Sequence, residues 1–308
     1  MTTPFVYASN LVKRFGDLTA VDGIDFEVMQ GEVFGFLGPN GAGKSSTMRM
    51  IGAVSPVTDG ELTVFGLDPA TDGRQIRARL GVVPQEDSLD TQLTVEENLM
   101  IYGRYFDLPR SEIAKRIDEL LSFTQLSERR THRVEPLSGG MKRRLTIARG
   151  LINDPEMILL DEPTTGLDPQ ARHLLWERLY RLKARGVTLI ITTHYMDEAE
   201  QLCDRLVIMD QGRIVAHGSP RRLIEEHVSR DVLELRFAEE TRQESEGSLG
   251  GLATRVETLP DRVLLYVDDA ERTMSAVLDM GLRPIANLIR RATLEDVFLR
   301  LTGRTLVD

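Results

Sequence analysis

The sequence predicts an α/β domain followed by a smaller α+β extension. Three observations predict it. Short apolar runs alternate with longer amphipathic stretches. A glycine-rich segment, Gly38–Ser45, joins an apolar run to a helical stretch. The patterning changes near Ser229, beyond which come a strand-like alternation and then a Glu-, Ser- and Gly-rich stretch. The expected domains are residues 1–228 and 229–308.

Within the first, Val33–Leu37, Met157–Leu160 and Val187–Thr192 read as buried strands, because each is a short continuous apolar run. Ser45–Ile51, Gly140–Ile152 and Pro169–Ala184 have helical character, and Leu93–Phe123 carries no strand signal and reads as helical throughout. Cys203–Met209 and Arg213–His217 flank Asp210-Gln211-Gly212, a hairpin with glycine in its turn. In the tail, Val232–Phe237 and Arg262–Val267 read as strands, Ala238–Gly251 as a solvated loop, and Asp269–Met280 and Thr293–Leu301 as helices.

Composition narrows the function classes. A net charge of -10 argues against a phosphate-backbone footprint on nucleic acid and gives no reason for adhesion to anionic lipid. The single cysteine, Cys203, excludes an internal disulfide and a cysteine-rich zinc site, and fits a reducing compartment. Met1 to Asn10 lacks the basic-then-apolar pattern of a signal peptide, and no apolar run approaches the roughly 20 residues a membrane span needs. The expectation is a cytosolic protein, to which another polypeptide would supply any membrane part.

Gly38-Pro39-Asn40-Gly41-Ala42-Gly43-Lys44-Ser45 matches G-x-x-x-x-G-K-[ST] in the required context, after a strand and opening a helix. Glycines let consecutive N–H groups turn inward around phosphate oxygens, and the helix aims its positive end at the same anion. Lys44 supplies a charge for the β- and γ-phosphates, and Ser45, followed by Ser46, offers a hydroxyl to Mg²⁺. Met157–Leu160 then delivers Asp161 and Glu162 to the ligand crevice of the sheet. Asp161 is placed to hold Mg²⁺, and Glu162 is the candidate to polarise the attacking water. Leu137-Ser138-Gly139-Gly140-Met141 makes a second anion-binding helix start, with Lys142, Arg143 and Arg144 as a solvated basic face.

Taken together, these elements resemble the nucleotide-binding subunit of an ATP-binding cassette (ABC) transporter. Residues 38–45 match its Walker A motif, 137–141 its signature and 157–162 its Walker B motif, and the likeness covers roughly residues 5–220. The resemblance implies a P-loop NTPase cassette, with a RecA-like core and antiparallel β and α-helical subdomains, that binds ATP and Mg²⁺. It places Gln85 as the Q-loop sensor of Mg²⁺ or water, Asp168 in the D-loop, His194 as the switch histidine and Phe15 as the ring stacked on adenine. Asp168 before Pro169 also fits a helix N-cap. His132, His173, His217 and His227 lack such a context and read as structural, and Arg77, Arg79, Arg129 and Arg130 as solvated charge.

In this family the signature serine of one subunit contacts the γ-phosphate held by the other. One cassette per chain therefore implies a head-to-tail dimer with two ATP molecules. Met100, Ile101, Tyr102, Tyr105 and Phe106 cannot all face one side of a helix, so an apolar patch is expected there, where the family receives a short helix of the membrane subunit. The segments Gly81–Asp90, Asp161–Asp168 and Thr192–Glu200, with Thr293–Phe298 in the tail, resemble the drug-resistance and nodulation-factor (NodI-like) exporter branch. That branch pairs with ABC-2 type membrane proteins, which would place this subunit on the inner face of the cell membrane. The competing reading is a soluble cassette ATPase acting on nucleic acid or ribosomes, against which the acidic balance and single cassette count. A further one is a regulatory module that closes on ATP but scarcely hydrolyses it, against which intact Asp161, Glu162 and His194 count.

Overall fold

A computed structural model describes residues 3–238 and 248–303. Their Cα packing divides the chain into two compact units, Met1–His217 and Gly218–Asp308. The division falls before the expected 228/229, because helix α8 (Pro220–His227) packs on the C-terminal helix α10 (Leu294–Thr302).

In the first unit, strands β1 (Val6–Phe15), β2 (Leu18–Val28) and β4 (Asp59–Val64) form an antiparallel sheet in the order β2-β1-β4. A second sheet runs β5 (Leu80–Val83), β6 (Met157–Asp161), β7 (Thr188–Thr193), β3 (Val33–Leu37), β8 (Arg205–Asp210), β9 (Arg213–Gly218). From β5 to β8 it is parallel. β3 and β7 are buried at every residue, which is why they read as unbroken apolar runs rather than alternations. Gln211 and Gly212 both take positive φ, 48° and 79°, as a two-residue turn between β8 and β9 requires. Phe26, Phe34, Phe36, Met50, Leu159 and Ile190 are at the heart of the core between the sheets and helix α1 (Lys44–Ile51).

The expected continuous helix over Leu93–Phe123 is two helices, α3 (Val95–Arg104) and α4 (Arg110–Thr124). The break has a local cause. Asp107 adopts φ 57°, and Pro109 precedes the first turn of α4 in extended backbone. Thr94 and Glu97 cap α3 reciprocally. Both helices pack on α5 (Gly139–Gly150). α6 (Pro169–Ala184) spans the expected residues, and α2 (Gly73–Ala78) and α7 (Met196–Leu202) complete the unit.

The second unit is an α+β fold. Its antiparallel sheet has the order β11 (Arg255–Thr258), β12 (Val263–Val267), β10 (Asp231–Arg236), β13 (Ala286–Arg291). Leu233, Leu235, Val263, Leu265 and Val267 face Ala270 and Val277 of α9 (Ala270–Asp279) across a small core. Most of the expected loop Ala238–Gly251 lies outside the described residues.

Candidate nucleotide-hydrolysis site

Strand register gathers the site. Leu37 pairs with Thr193, Asp161 with Thr192, and Val83 with Leu160. The carboxyl ends of β3, β6, β7 and β5 therefore meet at one edge of the sheet. Each hands its next residues to that edge: Gly38 after β3, Glu162 after β6, His194 after β7, and Pro84-Gln85 after β5.

The loop after β3 is shaped by what its glycines must avoid. Gly43 has φ 102°, and a Cβ there would stand 2.5 Å from the Ala20 carbonyl. A Cβ on Gly38 would stand 2.2 Å from the Met209 carbonyl. Gly41, at φ 79°, opens onto free space, the approach a phosphate needs. No side chain caps the first turn of α1, which leaves its N–H groups to an anion. Ala42 lies behind the loop, buried, and Asn40 and Ser46 flank it. Lys44 is 4% exposed and folds back, donating to the carbonyls of Gly38 (2.7 Å) and Pro39 (2.9 Å). Burial lowers its ammonium from the ordinary value, while Glu162 and Asp161 pull it back up.

Four groups converge on the Glu162 carboxylate, which is 7% exposed. Gln85 Nε2 and Thr165 Oγ1 each donate to Oε2 at 3.1 Å. Lys44 Nζ lies 3.9 Å from Oε1. His194 Nδ1 is 3.3 Å from Oε1, off the direction of a hydrogen bond, and has no hydrogen-bond partner among the described residues. Glu162 is held at φ 45°, and its N–H donates to the Thr192 carbonyl and Oγ1. That non-helical kink turns its side chain toward the Gln85 loop. Ser45 Oγ donates to Asp161 Oδ1 at 3.2 Å, and Thr192 Oγ1 donates to the same oxygen. Ser45, Asp161 and the Gln85 amide form an oxygen set that fits a hard divalent cation. Among the described residues no three His, Cys, Asp or Glu side chains form a metal cage. A cation here would share its shell with phosphate oxygens, as Mg²⁺ does.

The signature residues line a different opening. Ser138 caps α5, accepting from Met141 N at 3.3 Å, and Gly139 has free space where a side chain would stand. With Gly140, Gly166, Asp168 and Ala171 they border a groove of about 450 Å³. Asp168 caps α6 through Ala171 N at 2.9 Å. No P-loop residue lines that groove. Phe15 is half exposed at the β1–β2 turn, with Lys13 Nζ 4.8 Å from its ring centroid. It pairs with Leu18, close in sequence to the Ala20 carbonyl that abuts Gly43.

A cleft of about 960 Å³ runs from Ser45, Gln85 and Asp161 to Tyr102, Tyr105 and Phe106. Tyr105 and Ile101 are exposed at 75% and 42%, whereas Leu99 is buried, so the expected apolar patch exists on one side of α3. Two basic residues read as solvated are clamps instead. Arg79 pairs with both Glu156 oxygens over the Phe65 ring, and Arg130 joins Glu96 to Asp118. Sequence reasoning also missed Thr165, Thr192 and Arg143. Arg143 shares a helix face with buried Ile147 and Gly150, which was its available signal.

This fold and site define a P-loop ATPase of the cassette type. The ABC transporter family model matches residues 21–165, and the model for the C-terminal domain of the nodulation factor export protein NodI matches 239–303. The chain is 46% identical to the Nod factor export ATP-binding protein I of Ralstonia nicotianae, over 100% of this chain and 96% of that one. It is 47% identical to the same-named protein of Rhizobium meliloti, over 99% and 90%. Among solved structures it resembles cbiO1 from Clostridium perfringens, part of the ABC transporter complex cbiONQ, with TM-score 0.67, 29% identity and coverage of 72% and 91%. It also resembles the dimeric post-hydrolysis structure of the cassette MJ0796 bound to ADP and Pi, with TM-score 0.64, 27% identity and coverage of 70% and 98%. The chain belongs to the ATP-binding subunits of ABC transporters, in the branch of the Nod factor export proteins. It is the ATP-binding and ATP-hydrolysing subunit of an exporter, and the soluble nucleic-acid alternative is set aside. No described helix is long and apolar enough to cross a membrane.

Proposed function

We propose that two copies of this chain close head to tail on two ATP molecules with Mg²⁺ and drive export through a separate ABC-2 type permease at the inner face of the cell membrane. The observation that carries this reading is the convergence of Gln85, Lys44, His194 and Thr165 on the buried Glu162 carboxylate, beside a phosphate loop whose own chain holds its signature residues in another groove. A signature that borders a groove without the P-loop is free to meet the P-loop of a second copy, as in a head-to-tail pair.

Asn40, Gly41 and Gly43 offer backbone N–H groups to the phosphates, while Gly38, Pro39 and Ala42 shape the loop around them, the Gly38 and Ala42 N–H groups donating to the carbonyls of Thr193 and Pro39. Lys44 leaves the carbonyls of Gly38 and Pro39 for the β- and γ-oxygens, and Ser46 adds a hydroxyl. Ser45, Asp161 and Gln85 would hold Mg²⁺, which supplies charge neutralisation on the phosphoryl oxygens. Glu162 orients the attacking water and accepts its proton, and His194 donates to the γ-phosphate once it swings from Glu162. Ser138, Gly139 and Gly140 of the second copy meet that γ-phosphate from the opposite side, and its Asp168 lines the same groove. Phe15 stacks on the adenine. Hydrolysis removes the bridging phosphate, and the pair loosens.

The cleft beside Tyr102, Tyr105 and Phe106 receives a helix of the permease. The relatives' names make an amphiphilic lipo-oligosaccharide of the Nod-factor kind the cargo class to test first, with drugs and lipids as alternatives. Static light scattering of the Glu162→Gln protein tests the core of the proposal: ATP and Mg²⁺ convert it to a dimer, and a species that stays monomeric at saturating ATP refutes it.

A further inference from the structure

Arg143 lies on the signature helix α5, yet its side chain is buried beneath the catalytic loops, with 4% exposure. Its guanidinium makes five hydrogen bonds to main-chain carbonyls of two separate segments. Nε donates to Pro163 at 2.9 Å, and Nη2 donates to Asp161 at 3.1 Å and Glu162 at 3.2 Å. Nη1 donates to Pro84 and to Gln85, the latter at 3.3 Å. Asp87 is 3.7 Å from the same nitrogen and balances the buried charge. One planar group thus ties the turn that carries Glu162 to the loop that carries Gln85, whose side chains meet at 3.1 Å. The same face of α5 holds the Gln85 segment at two further points. Thr146 Oγ1 donates to Asp87, and Arg149 donates to the carbonyl and Oγ of Ser88.

Burying an arginine among carbonyls costs desolvation that an apolar residue would avoid. What the arginine supplies in exchange is geometry, because a rigid fork with five donors can hold carbonyls of both segments at once. Lysine, with a compact ammonium, cannot span both segments.

We propose that Arg143 is a positioning residue for ATP hydrolysis: from the signature helix it fixes the backbones of Glu162 and Gln85 against each other, so that the Glu162 carboxylate reaches the attacking water only while α5 is seated. This rests on the assignment of Glu162 as the group that activates water. The guanidinium donates to main-chain carbonyls and is buried, so its loss is expected to act on the chemical step and to spare binding. The link also gives the signature helix, which meets the γ-phosphate of the opposite copy, a direct mechanical hold on the hydrolytic carboxylate.

The test is steady-state and single-turnover hydrolysis by full-length Arg143→Gln and Arg143→Lys proteins, each also combined with Glu162→Gln, with ATP affinity followed by a fluorescent analogue. Both single variants are expected to lower kcat about tenfold or more, with KM and ATP affinity within about twofold of wild type. Adding either to Glu162→Gln causes no further loss, because the group being positioned is already gone. A normal kcat, a fall in affinity parallel to kcat, or losses that multiply in the double variants would each overturn the proposal. So would failure of both variants to give a folded, ATP-binding protein, which would assign Arg143 to folding alone. Wild-type hydrolysis by Glu162→Gln itself would instead remove the reading on which the proposal rests.

Discussion

Replacing Glu162 by glutamine changes one atom at the centre of the site. The carboxylate Oε2 accepts from Gln85 Nε2 and Thr165 Oγ1 at 3.1 Å each, so a glutamine carbonyl in that place keeps both bonds. The amide nitrogen then takes the place of Oε1, 3.3 Å from His194 Nδ1 and 3.9 Å from Lys44 Nζ, and the negative charge beside both is lost. Shape is preserved and basicity is removed. A general base is worth roughly 10²- to 10⁴-fold in rate, or about 3–5 kcal/mol of transition-state free energy. Phosphate release should fall by that factor at saturating ATP. ATP affinity should hold or rise, since Lys44 is freed from a carboxylate that competes with phosphate. Single-turnover phosphate release and nucleotide titration on the same sample separate the two effects. Hydrolysis within about threefold of wild type would refute the assignment, because no group acting as a base could be lost so cheaply.

Three other outcomes follow from the same structure. Gly43→Ala must hold φ 102° with a Cβ 2.5 Å from the Ala20 carbonyl, so it should cost at least about 1–2 kcal/mol of stability and abolish ATP binding, as thermal melting with and without ATP would show. Ile101→Glu puts a charge on the exposed side of α3 and should cut permease recovery in a detergent pull-down about tenfold, with an unchanged melting temperature; full recovery would move the docking site elsewhere. In the second unit, burial pushes the Asp296 carboxyl up, but bonds from Arg290 and the Thr293 N–H outweigh it and hold the group below its ordinary value. A depressed carboxylate contributes stability that is complete above its unfolded value near pH 4 and is lost as pH falls through the folded value. The wild-type second unit should therefore loosen below about pH 4, and Asp296→Asn should cost about 3 kcal/mol at neutral pH and flatten that acid transition in a pH-resolved melting series.

The site was legible in the sequence because its backbone demands narrow the residue choice. Gly43 is glycine since φ 102° and the Ala20 carbonyl allow little else, and Val33–Leu37 reads as a strand since every residue in it is buried. Strand β1 escaped notice for the opposite reason: its pairing shifts register between Ala8 and Leu11, Leu11 and Lys13, and Lys13 and Arg14, and its two-residue alternation breaks after Ala8. In β2 the alternation survives over Ile24–Val28, a strand signal that was legible and went unused. β13 is exposed over most of its length on a sheet edge and carries almost no apolar pattern. Arg143 was read as solvated charge because a basic triplet after a helix cap is ordinary on a surface. Only the fold reveals that its partners are carbonyls distant in sequence, at Pro84, Gln85 and Asp161–Pro163. Composition carries no information of that kind, since every residue offers a carbonyl.

The central claim is that each hydrolytic site is shared by two copies, and subunit mixing tests it most directly. Lys44→Ala disables the P-loop, and Gly139→Asp places a negative charge in the free space at the signature without a clash in its own chain. Each variant alone should hydrolyse ATP at background rate. Mixed in equal amounts, head-to-tail pairs should include some with one intact P-loop facing one intact signature, restoring up to about a quarter of wild-type activity. A mixture no more active than the two variants measured separately would contradict the shared site and return the signature to its own chain.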